Sequence, residues 1–437
     1  MNSIVIGVIA LVACIGIMFL GMPVPFAMLL TGVGSLVLLR SPAAAFQIVA
    51  SDLFTTFASY TLTVAPMFGF MGLLACYSGI GSSMFVAADK FIGHRRGGIA
   101  SATQIACAIF GAICGSIPAT IATMSMVALP EMNKRGYNPK LSTACIAAGG
   151  AIAVLIPPSN TFIIYGIAAE QSIGKLFIAG IIPGIIITVL NIIAIAIVCN
   201  RHKDYAPTAP KATWPERFAA LKAGGLLEII AIFIISMGGM FAGWFTATEA
   251  ASIGACAVLI VGLIEKRVHF KELKTALFEA AKMAAFINLI ISAATIFGRA
   301  FTLSGIPTAL ARMVSSMGVA PWIVIAAIYF IYFLMGMVVD ALSMVLITIP
   351  IFFPIVVGQL GYDPIWFGVI IVLIVNMGGL TPPIGMNVFY MKAYAKEVPL
   401  MTIFSGVWPF VVADLVCLAL LLAFPALCTW LPSLAFA

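Results

Sequence analysis

Two Pro-Pro elements interrupt strongly apolar stretches in the two halves of the chain. They lie in residues 155–160 (LIPPSN) and 380–385 (LTPPIG), and each is followed at the same distance by a tyrosine, Tyr165 or Tyr390. Proline removes a backbone donor and ends a helical turn. Each break therefore leaves a half-helix C-terminus, which favours cations, and a half-helix N-terminus, which favours a carboxylate. A paired break of this kind predicts a site for an anionic substrate and its co-ions near the centre of a membrane.

A Gly-Ser-Ile-Pro-Ala-Thr segment at residues 115–120 predicts a second element of that site. Glycine permits close approach of the backbone to a ligand, and Ser116 and Thr120 add neutral oxygens. Free carbonyls before Pro118 suit a hard monovalent cation. The alternative, a tight turn between packed helices, stays open at this stage.

Asp340 is an ionisable residue within an apolar stretch, shortly after Gly336 and before Ser343. A carboxylate at membrane depth is costly and usually functional, and beside carbonyl oxygens it can bind Na⁺ or H⁺. The other interpretation is a structural carboxylate that caps the next helix.

Four further polar residues are candidates for substrate binding. Asn160 and Asn387 lie at the two breaks, and Arg299 is a guanidinium within an apolar stretch. The planar fork of Arg299 suits a substrate carboxylate, but it equally suits a structural pair with an acid such as Glu249 or Asp340. Glu249 either lines the site or caps a helix.

Composition identifies an integral membrane protein. Hydrophobic residues make up 63% of the 437 residues and charged residues 8%, against about 25% charged in soluble domains. The net charge of +7 does not indicate a nucleic-acid partner, because the basic residues lie in loops between apolar runs, as on the inner face of a bilayer.

The apolar runs predict an all-α polytopic fold built as an inverted repeat. Residues 1–200 form the first repeat, residues 201–225 a cytoplasmic linker rich in proline, and residues 226–437 the second repeat. Each repeat contains a re-entrant hairpin, at 100–134 and 322–357, and a broken helix, at 140–169 and 364–395. The remaining predicted helices are at about 3–20, 24–39, 54–76, 79–92 (a surface helix), 175–199, 226–243, 247–264, 276–301, 303–317 and 401–424. With both hairpins re-entrant, nearly all loop Lys and Arg residues fall on the inner face, as the positive-inside rule requires.

These motifs resemble those of the large membrane subunit of tripartite ATP-independent periplasmic (TRAP) transporters. The match covers essentially the whole chain and is strongest at residues 114–120, 156–159, 336–340 with Pro350, and 376–387. The resemblance implies a bacterial inner-membrane, multi-pass importer in which a transport domain moves against a scaffold as an elevator. It implies co-transported Na⁺, with ion sites that map onto Ser116, Ser159, Gly336, Asp340 and Thr381.

The resemblance further implies that the substrate is a small organic anion, of the sialic acid or C4-dicarboxylate class. It implies two partner proteins, a small four-helix membrane subunit and a periplasmic substrate-binding protein. A stand-alone Na⁺/dicarboxylate symporter of related architecture is the alternative. A membrane-embedded enzyme is disfavoured, because the sequence has neither an HExxH motif nor a supported pair of catalytic aspartates.

Overall fold

The computed structural model describes residues 2–223, 226–316 and 318–435, and this part of the chain is helical without β-strands. The all-α polytopic class predicted from composition is confirmed. The first ten helices are α1 (Ser3–Phe19), α2 (Val24–Leu39), α3 (Pro42–Phe57), α4 (Val64–Tyr77), α5 (Ile80–Ile92), α6 (Gly98–Cys114), α7 (Ile117–Lys134), α8 (Pro139–Leu155), α9 (Asn160–Ala168) and α10 (Ile173–Arg201).

The second half follows with a similar order of long and broken helices. Its helices are α11 (Trp214–Ala223), α12 (Leu226–Phe233), α13 (Gly239–Phe241), α14 (Ala247–Ile264), α15 (Phe270–Ser304), α16 (Ile306–Ser316), α17 (Pro321–Gly336), α18 (Ala341–Phe353), α19 (Pro364–Leu380), α20 (Met386–Tyr394), α21 (Leu400–Ala423) and α22 (Ala426–Ala435). Short π-helical segments, Ile234–Gly238 and Pro354–Gln359, follow α12 and α18.

Six helical segments in the described residues are long and apolar enough to cross a bilayer. A seventh span results if α8 and α9, which bend by 43° at their break, are counted as one. A helix of about 20 apolar residues spans the hydrocarbon because all its backbone groups are paired internally. This count is by length and composition; the division into two inverted repeats stays a prediction.

Helices α8 and α19 form the centre of the molecule. Every residue from Leu141 to Leu155 and from Ile365 to Leu380 is buried. Both helices are apolar on all sides, which is the pattern of a helix surrounded by protein. Each ends where its Pro-Pro element begins. At the first break Pro157 and Pro158 are buried, whereas at the second Pro382 is half-buried and Pro383 is exposed.

In each half, the second helix of the hairpin packs against the broken helix of the other half. Helix α7, which returns from the first hairpin, packs against α20 of the second broken helix, and α18, which returns from the second hairpin, packs against α9 of the first. A separate group of helices, α1 to α4 with α14 and α15, packs mainly within itself. This arrangement brings both hairpins and both breaks to one place.

Three regions differ from the predicted helices. The span predicted at 54–76 is present but begins later, at Tyr60–Tyr77, because Ser41 caps a separate helix that ends at Phe57. The linker contains the ten-residue helix α11, in which Pro215 occupies the first turn, where proline is tolerated. Helix α22 was not predicted; Phe424 and Pro425 separate it from α21.

Candidate functional site

The tip of the first hairpin is packed against the first break. Ser116 is extended between α6 and α7, and Gly115 has a φ of +58°. The backbone N–H of Asn160 donates to the Gly115 carbonyl at 3.4 Å. A Cβ added to Gly115 would lie 2.2 Å from the Pro158 carbonyl oxygen, so only glycine permits this approach.

The tip of the second hairpin meets the second break in the same way. The backbone N–H of Gly385 donates to the Met337 carbonyl at 3.1 Å. A Cβ on Gly378 would lie 2.6 Å from the carbonyl carbon of Gly336. Gly115 thus allows backbone-to-backbone contact in the turn of the first hairpin, and Gly378 allows it between the ends of α17 and α19. Both Pro-Pro bonds, at Pro157-Pro158 and Pro382-Pro383, are cis.

A cavity of about 140 Å³ lies where these two junctions meet. Its walls come from both hairpin tips, the ends of α8 and α19 before the breaks, and the first turns of α9 and α20 after them. The lining residues are Gly115, Ser116, Ile117, Pro118, Val154, Asn160, Thr161, Gly336, Val339, Asp340, Ala341, Leu342, Val375, Asn376, Gly379, Met386, Asn387 and Tyr390. The first turns of α9 and α20 bring N-terminal amides to this cavity, where they favour an anion.

Asn376 and Asn387 give the cavity unsatisfied polar atoms. Each residue is 2% exposed. Neither the amide nitrogen nor the oxygen of Asn376 has a hydrogen-bond partner among the described residues, and the same is true of Nδ2 of Asn387. Burying such groups without a partner is costly, and orphaned polar atoms in a cavity indicate a ligand or ion that completes them.

Asp340 is the one charged side chain among the described residues that line the cavity. Its carboxylate caps α18 by accepting hydrogen bonds from the backbone N–H of Ser343 at 3.1 Å and from Ser343 Oγ at 2.5 Å. The capping interpretation and the cavity-lining interpretation therefore both apply. Two hydrogen bonds leave acceptor capacity on the carboxylate for a cation.

The polar side chains of the lining offer hydroxyl, amide and carboxylate oxygens together with amide N–H donors. Within the described residues there is no cluster of three or more His, Cys, Asp or Glu side chains able to hold a metal ion. A site of carbonyl, hydroxyl and amide oxygens with one carboxylate is suited to a hard cation of low charge, bound together with an anion.

Five of the predicted site residues line this cavity: Ser116, Asn160, Gly336, Asp340 and Asn387. Three others are buried outside its lining. Ser159 accepts from the Phe162 N–H at 3.2 Å, Thr381 Oγ1 donates to the Met377 carbonyl at 2.7 Å, and Thr120 Oγ1 has no partner among the residues described.

Arg299 and Glu249 lie elsewhere, and the structure corrects the predicted pairing. Arg299 binds Asp52 of α3 through two hydrogen bonds, of 2.6 and 2.7 Å, and not Glu249 or Asp340. The pair fastens α3 to α15 beside a small core that includes Leu36 and Ile296. Glu249 is exposed and forms a capping box with Thr246 at the start of α14; neither side chain lines the cavity.

Asn376 and Tyr390 are cavity residues that the sequence analysis did not select as binding residues. Asn376 lies on an otherwise apolar helix one turn before the second break, and a buried amide in that position was the available signal. The equal spacing of the two tyrosines does not mean an equal role. Tyr165 is fully buried and donates to the Pro364 carbonyl at 2.6 Å, away from the cavity.

The helices and the cavity define a polytopic membrane protein with a small polar site where two broken helices meet. The chain belongs to the family described as tripartite ATP-independent periplasmic transporter, DctM component, whose model matches residues 11–427. It is thus the large permease subunit of a transporter, a multi-pass protein of the inner membrane.

Curated relatives share about a third of their residues with this chain. A C4-dicarboxylate TRAP transporter large permease of Pseudomonas aeruginosa is 33% identical over 403 residues, covering 92% of both chains. An ectoine large permease of Halomonas elongata is 33% identical over 427 residues, covering 97% of this chain and 98% of the relative. A sialic acid large permease of Vibrio cholerae is 30% identical over 421 residues, covering 96% and 97%.

Among solved structures, the YdaH transporter of Alcanivorax borkumensis has a similar fold. Its crystal structure is described as revealing an unusual topology. The match has a TM-score of 0.66 and 14% sequence identity, and covers 88% of this chain and 89% of that one. The likeness concerns the fold alone.

Proposed function

We propose that this chain imports a small organic anion by Na⁺ symport, with the cavity between the two breaks as the shared site for substrate and ions. The observation that carries the proposal is the meeting of four interrupted backbone segments around buried, unpartnered amides. The proposed substrate is of the C4-dicarboxylate or sialic acid class, in line with names that relatives carry.

The ions are proposed to bind at the two junctions. In the second, Asp340, the Gly336 carbonyl and Thr381 supply oxygens, and in the first Ser116 and Ser159 do so. The Ser159 and Thr381 side chains are already engaged with the backbone, so their share would come from remaining lone pairs. Na⁺ bound here offsets the charge of Asp340 and attracts an anion.

The substrate carboxylate is proposed to contact the first turn of α20, which has no side-chain cap, together with the side-chain amides of Asn376 and Asn387. The first turn of α9 also borders the cavity, but its Asn160 and Phe162 N–H groups already donate to Gly115 and Ser159. No cationic side chain lines the cavity within the described residues. Helix N-termini and amide donors can bind an anion without one. The bound Na⁺ ions then link substrate affinity to the ion gradient.

Transport is proposed to follow an elevator mechanism with partner proteins. The helices around the cavity would move against the group formed by α1 to α4, α14 and α15, which packs mainly within itself. A periplasmic binding protein would deliver the substrate, and a small four-helix membrane subunit would complete the permease.

Uptake into vesicles tests the proposal. The chain is reconstituted with the small subunit and loaded binding protein, and uptake of each candidate acid is measured with and without an inward Na⁺ gradient. We expect uptake only with the gradient, and Asp340→Ala should reduce it about 100-fold, because a charged ion contact is lost.

Asp363→Ala is the matched control for this experiment. Asp363 also caps a helix, accepting from the Ile365 and Trp366 N–H groups at 2.8 Å, but it does not line the cavity. Equal uptake by the Asp340→Ala variant and the unmodified protein would exclude Asp340 from ion coupling. Full uptake without binding protein would instead indicate a stand-alone symporter.

A further inference from the structure

Two cavities meet beside the second hairpin. The cavity between the junctions has a volume of about 140 Å³, and a neighbouring cavity of about 420 Å³ (the apolar cavity) is lined by α17, the end of α1 and the turn into α2. Val339, Asp340 and Met386 line both cavities. Pockets for small organic ligands usually measure about 300–1,000 Å³. An organic acid bound in the smaller cavity would thus extend into the apolar one.

The walls of the apolar cavity suit an uncharged group. Among the described lining residues Asp340 is the one with a polar side chain, and the others are aliphatic, thioether or aromatic, including Met18, Phe19, Met22 and Met335. Such walls stabilise apolar surface by about 25 cal/mol for each Å² removed from water. An ionised group placed against them would lose its hydration without gaining a partner.

The helix starts at the smaller cavity match the charge of one carboxylate. First-turn residues of α7, α9, α18 and α20 line it, and the starts of α9 and α18 are capped by their own Ser159 and Asp340 side chains. The starts of α7 and α20 have no side-chain cap, and a free helix N-terminus carries about half a positive charge. Together these two ends balance a single negative charge.

A second carboxylate would have no counter-charge in either cavity. Neither has a cationic side chain in its described lining, and Arg299 is held by Asp52. In the smaller cavity a dicarboxylate would add two negative charges beside Asp340, whose own charge the proposed Na⁺ offsets. In the apolar cavity its second charge would be desolvated without a partner. The two cavities therefore select against a dianion by what they lack.

We propose that the substrate is a monocarboxylate whose uncharged body has an apolar face. Its carboxylate binds at the starts of α7 and α20, and its body lies in the apolar cavity beside Met18 and Met22. The inference rests on the proposed function and narrows its substrate. A sialic acid, with one carboxylate, remains within the proposed class, whereas a C4-dicarboxylate does not.

Binding of matched acids to the purified full-length chain tests this inference. Hexanoate and adipate, like butyrate and succinate, share a carbon chain and differ in the second carboxylate. Each acid is titrated in Na⁺, and its Kd is obtained from the rise in the apparent unfolding temperature. We expect hexanoate to bind about tenfold more tightly than adipate, because adipate carries an unpaired charge. Hexanoate should also bind about tenfold more tightly than butyrate, because its longer chain fills more of the apolar cavity.

A cation placed in the apolar cavity should change the preference. Met22→Arg introduces a guanidinium from the turn between α1 and α2, where it can pair with the second carboxylate of adipate. We expect the affinity for adipate to rise about tenfold relative to that for hexanoate. Met18→Arg, at the end of α1, should act in the same way and serves if Met22→Arg does not fold. Leu20→Arg is the control, because Leu20 is 87% exposed and does not line the cavity.

Repeating each titration with K⁺ in place of Na⁺ separates this inference from the proposed symport. Hexanoate binding that is equal in the two salts would contradict Na⁺ coupling and leave the substrate class standing. Adipate binding as tight as that of hexanoate in Na⁺, or no binding of any of the four acids, would overturn the substrate class. Equal affinities for hexanoate and butyrate, or folded Met22→Arg and Met18→Arg variants with an unchanged preference, would also overturn it, because the body would then lie outside the apolar cavity.

Discussion

The two junctions between a hairpin and a broken helix share a backbone plan but differ in their side chains. At the first junction the Gly115 carbonyl accepts a hydrogen bond from the Asn160 N–H, and at the second the Met337 carbonyl accepts one from the Gly385 N–H. In both, a glycine lets two backbone segments approach closely. The first junction presents Ser116, Asn160 and Thr161, all neutral, whereas the second presents the carboxylate of Asp340 and the unpartnered amides of Asn376 and Asn387.

This difference assigns separate contributions to the backbone, which is alike at the two junctions, and to the side chains, which are not. The common plan supplies helix ends and carbonyls from both sides of the cavity. The second half adds a charge and the amide atoms that still need partners. We therefore expect changes of backbone packing to affect both junctions alike, and changes of side-chain chemistry to act mainly through the second.

Substitution of the contact glycines should have the largest effect. Gly378→Ala places a methyl group 2.6 Å from the Gly336 backbone, which cannot yield as a side chain can. We expect the free energy of unfolding to fall by about 2 kcal/mol and uptake to be lost. Gly115→Ala should lower stability and uptake in the same way at the first junction. There the substitution has a second cost, because Gly115 has a positive φ.

Gly358→Ala is the control, since nothing lies within 4 Å of its added Cβ. Thermal or denaturant unfolding and vesicle uptake provide the measurements. If Gly115→Ala left uptake intact while Gly378→Ala abolished it, the backbone plan would not be shared in function.

Removal of an unpartnered amide should have the next largest effect. Asn376→Ala is expected to lower uptake at limiting substrate about tenfold, because one hydrogen bond to the bound anion or ion is lost. Stability should be unchanged or improved, since the buried amide has no partner among the described residues. Asn288→Ala, on α15 outside the cavity, is the control; equal uptake by both variants would remove Asn376 from the site.

Tyr165 and Tyr390, which follow the two breaks at the same distance, are expected to differ in role: Tyr165 stabilises the fold and Tyr390 contributes to substrate binding. Tyr165→Phe should cost about 1 kcal/mol of stability, because its hydroxyl donates to the Pro364 carbonyl, with no change in KM. Tyr390→Phe should leave stability unchanged and raise KM, because Tyr390 lines the cavity. Both quantities are measured in the two purified variants, and the reverse pattern would contradict the assignment.

The Arg299–Asp52 pair should have the smallest effect. A double-mutant cycle with Arg299→Gln and Asp52→Asn is expected to give a coupling energy of about 1 kcal/mol, since the arginine side chain is half exposed. Uptake KM should not change in any of the three variants. A large rise in KM for Arg299→Gln alone would indicate that Arg299 binds the substrate.

Much of the fold could be predicted because local signals and long-range packing agree. Apolar runs and Pro-Pro elements marked the hairpins and breaks, and α8 and α19 end at those elements. The region around α3 was misjudged because its N-cap serine and the short break after Phe57 are weak signals within an apolar sequence.

The site was predicted in part, for a physical reason. Residues at helix breaks, such as Ser116 and Asn387, are visible from the pattern because the break itself fixes their position. Partners far apart in sequence are not: nothing local indicates that Arg299 meets Asp52, or that Tyr165 turns away from the cavity while Tyr390 lines it.

Substrate and Na⁺ are proposed to bind together in the cavity between the two junctions. Cysteine protection tests it directly: Ser116→Cys is made in a chain whose exposed Cys256 is replaced by serine, and the rate of thiol labelling is measured with a transported acid, with Na⁺, and with both. We expect slow labelling when both are present and faster labelling when either is removed. Equal labelling rates under all conditions, in a variant that still binds the acid, would contradict it.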